Sequence, residues 1–152
     1  SEPLYWKIRH IVITHEDADD VLQNTFLKIW KNLDAFQGKS ALSTWLYRIA
    51  INEALDFLRH QRHSTMASVD ESKKVANQLM ADEYFDGDRM QALLQEAVGQ
   101  LPEVQRTVFV MKYYDEMKYS EISAILGTTE GALKASYHLA VRKITEYLKR
   151  FD

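Results

Sequence analysis

Apolar residues recur three or four positions apart along most of the chain, which is the spacing of an amphipathic helix. Alternation of apolar and polar residues, the pattern of a half-buried strand, is almost absent, and no segment is convincing as a strand. Proline occurs only at Pro3 and Pro102, and glycine is sparse. The pattern therefore predicts an all-α protein whose helices are separated by short breaks.

The N-terminal part of the chain predicts three helices. The apolar face of the first consists of Leu4, Ile8, Ile11 and Val12. The apolar face of the second consists of Ala18, Leu22, Thr25, Ile29 and Leu33. Its first turn is predicted to hold acidic residues that suit the helix dipole, namely Asp17, Asp19 and Asp20.

The third helix is predicted to begin near Ser43 or Thr44 and to end near Gln61. Its predicted buried face consists of Leu46, Ile49, Ala50, Ala54 and Phe57. Polar residues fall within one narrow stripe on the opposite side, and they are Arg48, Asn52, Asp56, Arg59 and His63. The stripe is either a solvated face or a surface that contacts a ligand.

Residues 64 to about 88 lose this periodicity and gain Ser, Asp, Glu and Met, which is typical of a linker that is helical only in part. We therefore divide the chain into a domain at 1–63, a linker at 64–89 and a second domain at 90–152. A domain of about 60 residues buries only about 60% of the surface that its unfolded chain exposes. Binding surfaces are thus expected in preference to deep catalytic pockets.

The second domain is predicted to open with a short amphipathic helix over residues 90–98. Pro102 is predicted at the first position of the next helix, where its missing N–H costs no hydrogen bond. The apolar face of that helix is predicted at Val104, Val108 and Met111.

Residues 120–138 have the pattern of a helix-turn-helix. A short helix ends at Gly127, which suits a left-handed turn, and Thr129 is expected to cap a second helix with Glu130 in its first turn. The packed face of the second helix is predicted at Leu133, Tyr137, Ala140 and Ile144. Its exposed line is Lys134, His138 and Arg142, flanked by the small residues Gly131 and Ala135. Such a helix suits the DNA major groove, and the alternative is a helical hairpin with a solvated basic face.

Composition narrows the function classes further. The net charge is −3, but basic residues collect in the last stretch, so a local basic face exists within an acidic total. The chain has no Cys, and its histidines show no metal-ligand spacing joined to a general base. We therefore expect no catalytic residue, no metal and no cofactor. No apolar run approaches the roughly 20 residues of a membrane span, which predicts a cytoplasmic protein without membrane insertion.

Two separate segments resemble the bacterial sigma factors of the extracytoplasmic-function group. Residues 15–30, HEDADDVLQNTFLKIW, look like the polymerase-binding helix of the second sigma domain. Residues 36–40, FQGKS, and 44–52, TWLYRIAIN, look like the loop and helix that open and contact the −10 promoter element. The segment from Leu101 through Lys143 is similar to the fourth sigma domain, which in the family binds the −35 element and the flap of the polymerase β subunit. The segments stand in the family's order, and the resemblance covers nearly all of the chain except the linker.

The resemblance implies three groups of contact residues. Those at the β′ clamp helices of RNA polymerase are Asp20, Val21, Gln23, Asn24 and Leu27. Phe26 falls in the same line, but we expect it to pack in the core, as Ile29 does. Those at the −10 element are Phe36, Gly38, Lys39, Ser40, Arg48, Asn52, Asp56 and Arg59. Those at the −35 element are Thr129, Glu130, Gly131, Lys134, Ala135, His138 and Arg142. Trp45 either touches DNA or packs on a neighbouring helix, and packing is favoured.

The sequence thus predicts a non-enzymatic sigma factor made of a region 2 domain and a region 4 domain, which brings RNA polymerase core to promoter DNA. The resemblance also implies an anti-sigma factor as a partner, and we expect a monomer when the protein is free. The leading alternative is a stand-alone helix-turn-helix regulator, which would form a symmetric dimer on a palindromic operator. A helical scaffold that never touches nucleic acid is a third hypothesis.

Two departures from the family's pattern carry expectations of their own. The second helix of the helix-turn-helix has Ser136, Leu139 and Val141 where arginines are common in the family, which predicts weak intrinsic affinity for the −35 element. The first helix looks short, and the chain starts at Ser1, so we expect residues upstream of Leu4 to be missing.

Overall fold

The computed structural model describes residues 2–12, 14–36, 42–64, 75–82, 85 and 87–151. Every regular element within these ranges is helical, which confirms the predicted all-α class. The chain folds into two compact units, Ser1–Met66 and Ala67–Asp152. Each unit has its own apolar core.

Three helices form the first unit, and each packs against the other two. They are α1 (Glu2–Val12), α2 (His15–Asn32) and α3 (Leu42–Ser64), and a 3₁₀ turn (Leu33–Ala35) follows α2. The largest fully buried side chains at their meeting point are Ile8, Ile11, Val21 and Ile51. Thr25 is also fully buried, and its hydroxyl donates to the carbonyl oxygen of Val21 at 2.7 Å, so the polar group is satisfied within the core.

Helix α2 begins at His15, which places its first turn slightly before the one that the sequence predicts. Thr14 caps it, because the Thr14 hydroxyl accepts a hydrogen bond from the backbone N–H of Asp17 at 3.2 Å. Glu16 and Asp17 therefore occupy the first turn. Asp19 and Asp20 lie one turn later than expected, which corrects their predicted place at the helix start.

The buried face of α3 is rotated from the predicted one. Ala50 and Ala54 are buried as expected, but Leu46, Ile49 and Phe57 are only half-buried. Among the α3 residues whose burial is described, the other buried ones are Tyr47, Ile51, Glu53, Leu55 and Leu58. The rotation arises because α3 packs against both α1 and α2, and the positions of these two helices decide which side of α3 is buried.

The second unit consists of helices that pack around the last long helix. They are α4 (Val75–Ala81), α5 (Arg89–Gly99), α6 (Glu103–Phe109), α7 (Tyr119–Leu126) and α8 (Glu130–Leu148). A π-helical turn (Val110–Tyr114) continues α6, and a 3₁₀ turn (Lys149–Phe151) follows α8. Helices α5, α6 and α7 each contact α8, while α4 packs on α5.

Helix α4 lies within the range 64–89 that the sequence assigns to a linker. Its Ala76 and Leu79 are buried, and the backbone N–H of Ala76 donates to Glu96 Oε1 on α5 at 3.4 Å. The other carboxylate oxygen of Glu96 accepts a hydrogen bond from the Tyr147 hydroxyl on α8 at 2.6 Å. Glu96 is only 3% exposed, so one buried carboxylate joins three helices of this unit.

The start of α6 differs from the prediction by one position. Pro102 is the N-cap residue and the helix begins at Glu103, so Pro102 does not take the first helical position. Val104 is exposed, whereas Val108 and Met111 are buried as predicted.

Candidate nucleic-acid and protein interfaces

The turn between α7 and α8 has the geometry that the sequence predicts. Helix α7 ends at Gly127, whose φ of 69° lies in the left-handed region, and the Gly127 N–H donates to the carbonyl oxygen of Ser123 at 2.9 Å. The Ser123 hydroxyl donates to the Thr128 carbonyl oxygen at 2.6 Å. The hydroxyl of Thr129 then caps α8 by accepting from the Ala132 N–H at 3.3 Å. Local hydrogen bonds thus hold the two helices as a helix-turn-helix.

Helix α8 presents a broad exposed face away from this packing. Leu133, Ala140 and Ile144 are buried, and Tyr137 is half-buried. The predicted contact residues are all exposed, namely Thr129, Glu130, Gly131, Lys134, Ala135, His138 and Arg142. A Cβ atom added at Gly131 would meet no atom within 4 Å, so a flat surface can approach the start of this helix closely.

An aromatic cluster supports the exposed face from one side. The Tyr119 ring lies beneath two ammonium groups, with Lys112 Nζ at 4.6 Å and Lys134 Nζ at 5.7 Å from its centroid. Lys112 Nζ also donates to the Met117 carbonyl oxygen at 3.2 Å. Burial and the neighbouring phenols raise the pKa of Tyr137, which packs against the same Tyr119 ring. The arrangement brings two positive charges to one end of α8.

The polar stripe of α3 is solvent-accessible where the structure describes it. Arg48, Asn52 and Arg59 are exposed, and Asp56 is half-buried. Arg59 Nη1 pairs with Asp56 Oδ1 at 3.1 Å, one helical turn apart. The side chain of His63 lies outside the described residues.

The segment between the 3₁₀ turn and α3 is described only at Phe36. Phe36 is half-buried, and its ring centroid lies 5.2 Å from that of Trp45. Trp45 therefore packs on the aromatic ring of Phe36, which is itself one of the predicted −10 contacts. The other predicted contacts of this loop, Gly38, Lys39 and Ser40, lie outside the described residues.

The outer face of α2 combines polar and large apolar side chains. Asp20, Gln23 and Asn24 are exposed, as the prediction for this surface requires. Leu27 is 57% exposed and Trp30 is 80% exposed. Exposed apolar side chains that cluster on one helix face are characteristic of protein interfaces.

Two assignments on α2 need correction. Val21 is only 1% exposed and belongs to the core of the unit, so its side chain is removed from the outer face. Phe26, expected in the core, is 42% exposed, while Ile29 is half-buried. Both differences arise from the side of α2 that is buried, because Ala18, Val21 and Thr25 lie on the side that packs against α1 and α3.

Comparison with known families matches both units. The model of sigma-70 region 2 matches residues 2–64, and the model of sigma-70 region 4 matches residues 91–144. The ECF RNA polymerase sigma factor SigW of Bacillus subtilis (strain 168) is 30% identical, over 88% of this chain and 76% of SigW. The ECF RNA polymerase sigma-E factor of Escherichia coli (strain K12) is 33% identical, over 78% of this chain and 67% of that factor.

The chain belongs to the ECF RNA polymerase sigma factors. It therefore binds RNA polymerase and directs the enzyme to promoter DNA for transcription initiation. The alternative of a stand-alone helix-turn-helix regulator is not favoured, because a region 2 segment accompanies the region 4 segment in one chain.

Two solved structures share the fold of this chain. RpoE, in its complex with the anti-sigma factor NepR from Bartonella quintana, has a TM-score of 0.72 at 21% identity, over 97% of this chain and 91% of RpoE. CnrH, in its complex with the cytosolic domain of CnrY, has a TM-score of 0.67 at 25% identity, over 98% of this chain and 82% of CnrH.

The structure places further residues beside the predicted contact residues of this sigma factor, and sequence analysis missed them. Trp30 extends the outer face of α2, and continuing the helical period from Gln23 and Leu27 would have found it. Lys112 and Tyr119 join Lys134 beside α8, and no sequence signal connects them because they come from separate elements. Within the described ranges, no group of His, Asp and Glu is arranged to hold a metal ion. No helix described in this sigma factor has the length and apolar character needed to cross a membrane.

Proposed function

We propose that the first unit docks on the β′ clamp helices of RNA polymerase through the outer face of α2. The proposed surface consists of Asp20, Gln23, Asn24, Leu27, Phe26 and Trp30. The observation that carries the proposal is the exposure of Leu27 and Trp30, which are large apolar side chains on a helix that already buries another face. Burying such anchors in a partner is a common source of binding energy at protein interfaces, and the polar residues around them add specificity.

A binding and transcription assay tests this surface. A Gln23→Ala and Asn24→Ala double variant and a Trp30→Ala variant are mixed with sigma-free polymerase core and a promoter template. Loss of a buried tryptophan anchor typically costs about 2 kcal/mol, so we expect Trp30→Ala to weaken core binding by roughly thirtyfold. The double variant is expected to lose promoter-dependent transcripts.

Asn32 provides the matched control for these variants. It is exposed on the same helix but lies half a turn around from Gln23. Asn32→Ala is expected to bind core as the native protein does. Equal losses in Asn32→Ala and Trp30→Ala would contradict the assignment of the surface, and native core binding by Trp30→Ala and the double variant would refute it.

The polar stripe of α3 is proposed to contact the −10 element. Arg48, Asn52 and Arg59 supply exposed donors, and the loop that starts at Phe36 and contains Gly38, Lys39 and Ser40 is proposed to hold a base flipped out of the duplex. Asp56 pairs with Arg59 at 3.1 Å, so we propose that Asp56 orients this guanidinium toward the DNA backbone. An abasic site in the −10 element is expected to abolish the contribution of this loop to promoter opening.

The exposed face of α8 is proposed to enter the major groove at the −35 element. Lys134 and Arg142 carry charges that can reach phosphates or guanine edges, while Gly131 and Ala135 keep the helix close to the bases. The same unit is proposed to touch the β flap. Reversing the charge at Lys134 and Arg142 is expected to reduce transcription from promoters that depend on the −35 element. Unchanged transcription would favour the hypothesis of a scaffold that never touches nucleic acid.

Both DNA contacts are proposed to become effective only on the polymerase. The net charge of −3 gives the free chain little general affinity for DNA, and docking both domains on core removes the cost of ordering two modules joined by a linker. We propose domains at 1–63 and 90–152 with a linker at 64–89, in which α4 stays packed on α5 while the part before α4 runs through the enzyme. Tight promoter binding by the free chain would count against this scheme.

The proposed docking on polymerase also bears on the protein's partners, its oligomeric state and its location in the cell. An anti-sigma factor is proposed to cover the polymerase-binding and DNA-binding surfaces, as the solved complexes of RpoE and CnrH make reasonable for a relative. We propose that the free protein is a cytoplasmic monomer that catalyses no reaction itself and needs neither a metal nor a cofactor. A sedimentation measurement that gave a symmetric dimer would oppose the monomer.

A further inference from the structure

Two parallel strips run along the exposed face of α8. The basic strip is formed by Lys134, His138 and Arg142. The neutral strip is formed by Gly131, Ala135 and Leu139, which follow one another at the same four-residue spacing. All members of both strips are exposed. Leu139 is 45% exposed and is the large apolar residue of the neutral strip.

The position of Leu139 separates it from ordinary surface leucines. In the role proposed for α8 this face meets DNA, and Arg142 and Lys143 flank Leu139 with positive charge on the exposed side. Its isobutyl group can neither pair with a phosphate nor accept or donate a hydrogen bond. Its binding contribution in a groove must therefore come from apolar contact.

The major groove offers one strongly apolar group on its base edges, the 5-methyl group of thymine. Ala135 lies one turn before Leu139, so the two side chains together can cover such a methyl group. We propose that Leu139, assisted by Ala135, contacts a thymine methyl group in the −35 element and makes this sigma factor prefer thymine over cytosine at that position. The inference rests on the proposed role of α8 and adds the base class that its neutral strip selects.

Uracil substitution measures the contact directly, because uracil pairs as thymine does but lacks the methyl group. Holoenzyme is first used to select −35 sequences from a randomised promoter library with a fixed −10 element. Each selected thymine is then replaced by uracil in turn, and holoenzyme affinity is measured by competition. Burial of one methyl group predicts about a fourfold loss of affinity at the contacted position.

Two variants assign the effect to the side chain. Leu139→Ala keeps helix propensity high and is expected to bind thymine and uracil promoters equally at that position. Val141→Ala is the matched control, since Val141 is 38% exposed on the same helix but lies on the other side of the basic strip. It is expected to keep the fourfold discrimination.

The outcomes separate this inference from the role proposed for α8. A selected −35 element with no position at which uracil weakens binding would overturn the inference and leave the role of α8 intact. Methyl discrimination that persists in Leu139→Ala, or disappears equally in Val141→Ala, would overturn it as well. If holoenzyme selected no −35 sequence at all, the proposed role of α8 would fail and the inference would fail with it.

Discussion

Replacing Tyr147 by phenylalanine removes a hydroxyl group that links α8 to the buried carboxylate of Glu96. The Tyr147 hydroxyl donates to Glu96 Oε2 at 2.6 Å, and Glu96 is 3% exposed, so water cannot readily replace the lost donor. Hydrogen bonds to charged groups contribute about 1.5–3 kcal/mol, and a buried acceptor left short of a partner falls in the same range. We therefore expect Tyr147→Phe to lower the free energy of unfolding of the second unit by about 2 kcal/mol.

Two spectroscopic signals of the full chain show which of the two units is destabilised. All three tryptophans, Trp6, Trp30 and Trp45, lie in the first unit, whereas circular dichroism at 222 nm reports helices of both units. In urea, a loss of about 2 kcal/mol corresponds to a shift of the midpoint by roughly 1–2 M for a unit of this size. We expect that shift in the circular dichroism transition of the second unit and no shift in tryptophan fluorescence.

Alkaline pH provides a second test of the same bond. Burial, aided by the hydrogen bond and the negative charge of Glu96, raises the pKa of Tyr147 to about 12 in the folded protein. A phenol whose pKa rises on folding stabilises the folded protein while it stays protonated. This stabilisation is complete below the unfolded pKa of about 10, and it is lost as the pH rises through 12. The difference in stability between the native protein and Tyr147→Phe should therefore shrink between pH 10 and pH 12.

Tyr113 supplies the control, because it is exposed and its replacement by phenylalanine should change stability by less than about 0.5 kcal/mol. Three results would refute the reasoning. They are equal effects of Tyr113→Phe and Tyr147→Phe, a shift confined to tryptophan fluorescence, and a stability difference that stays constant up to pH 12.

Three further perturbations test other parts of the structure. Gly127→Ala forces a side chain into a left-handed conformation and is expected to destabilise the second unit by about 1–2 kcal/mol by circular dichroism, with weaker −35 binding in holoenzyme. Lys28→Met removes the ion-pair partner of nearly buried Glu53 between α2 and α3, and because Lys28 is half exposed we expect only about 1 kcal/mol of lost stability in tryptophan-detected unfolding. Burial, with the charges of Arg9 and Lys7, lowers the pKa of His10 to about 4, so the fold disfavours the charged imidazole. The contribution of neutral His10 to the free energy of unfolding of the first unit should accordingly be fully present above pH 6.5. It should fall by up to about 3 kcal/mol as the pH falls from 6.5 through 4. We expect a weaker pH dependence of unfolding in His10→Gln.

Local chemistry explains why the helix-turn-helix was predictable in detail. The left-handed turn at Gly127 and the cap at Thr129 depend on residues within a few positions of each other, so the sequence contains all their partners. The exposed line through Lys134, His138 and Arg142 follows from the helical period once Leu133 is known to be buried. Asp20, Gln23 and Asn24, which the family resemblance implies as contact residues, are likewise exposed.

Predictions of burial were wrong where the helix was predicted correctly but its neighbours decided which side of it is buried. Val21 and Phe26 exchanged their expected environments because two helices, α1 and α3, cover α2 from one side. Val104 is exposed for a related reason, since apolar character alone does not say which side of a short helix meets a partner. A periodic pattern therefore predicts the presence of an amphipathic helix more reliably than it predicts which side of that helix is buried.

The sequence by itself determined the all-α class, the helix-turn-helix and the two family segments, because helix periodicity, turn residues and motif order are properties of neighbouring positions. Only the tertiary structure brought Glu96 to Tyr147 across 51 positions and set Lys112 and Lys134 over the Tyr119 ring. Those contacts depend on how helices pack, and packing is decided by the joint fit of several surfaces that no single segment contains.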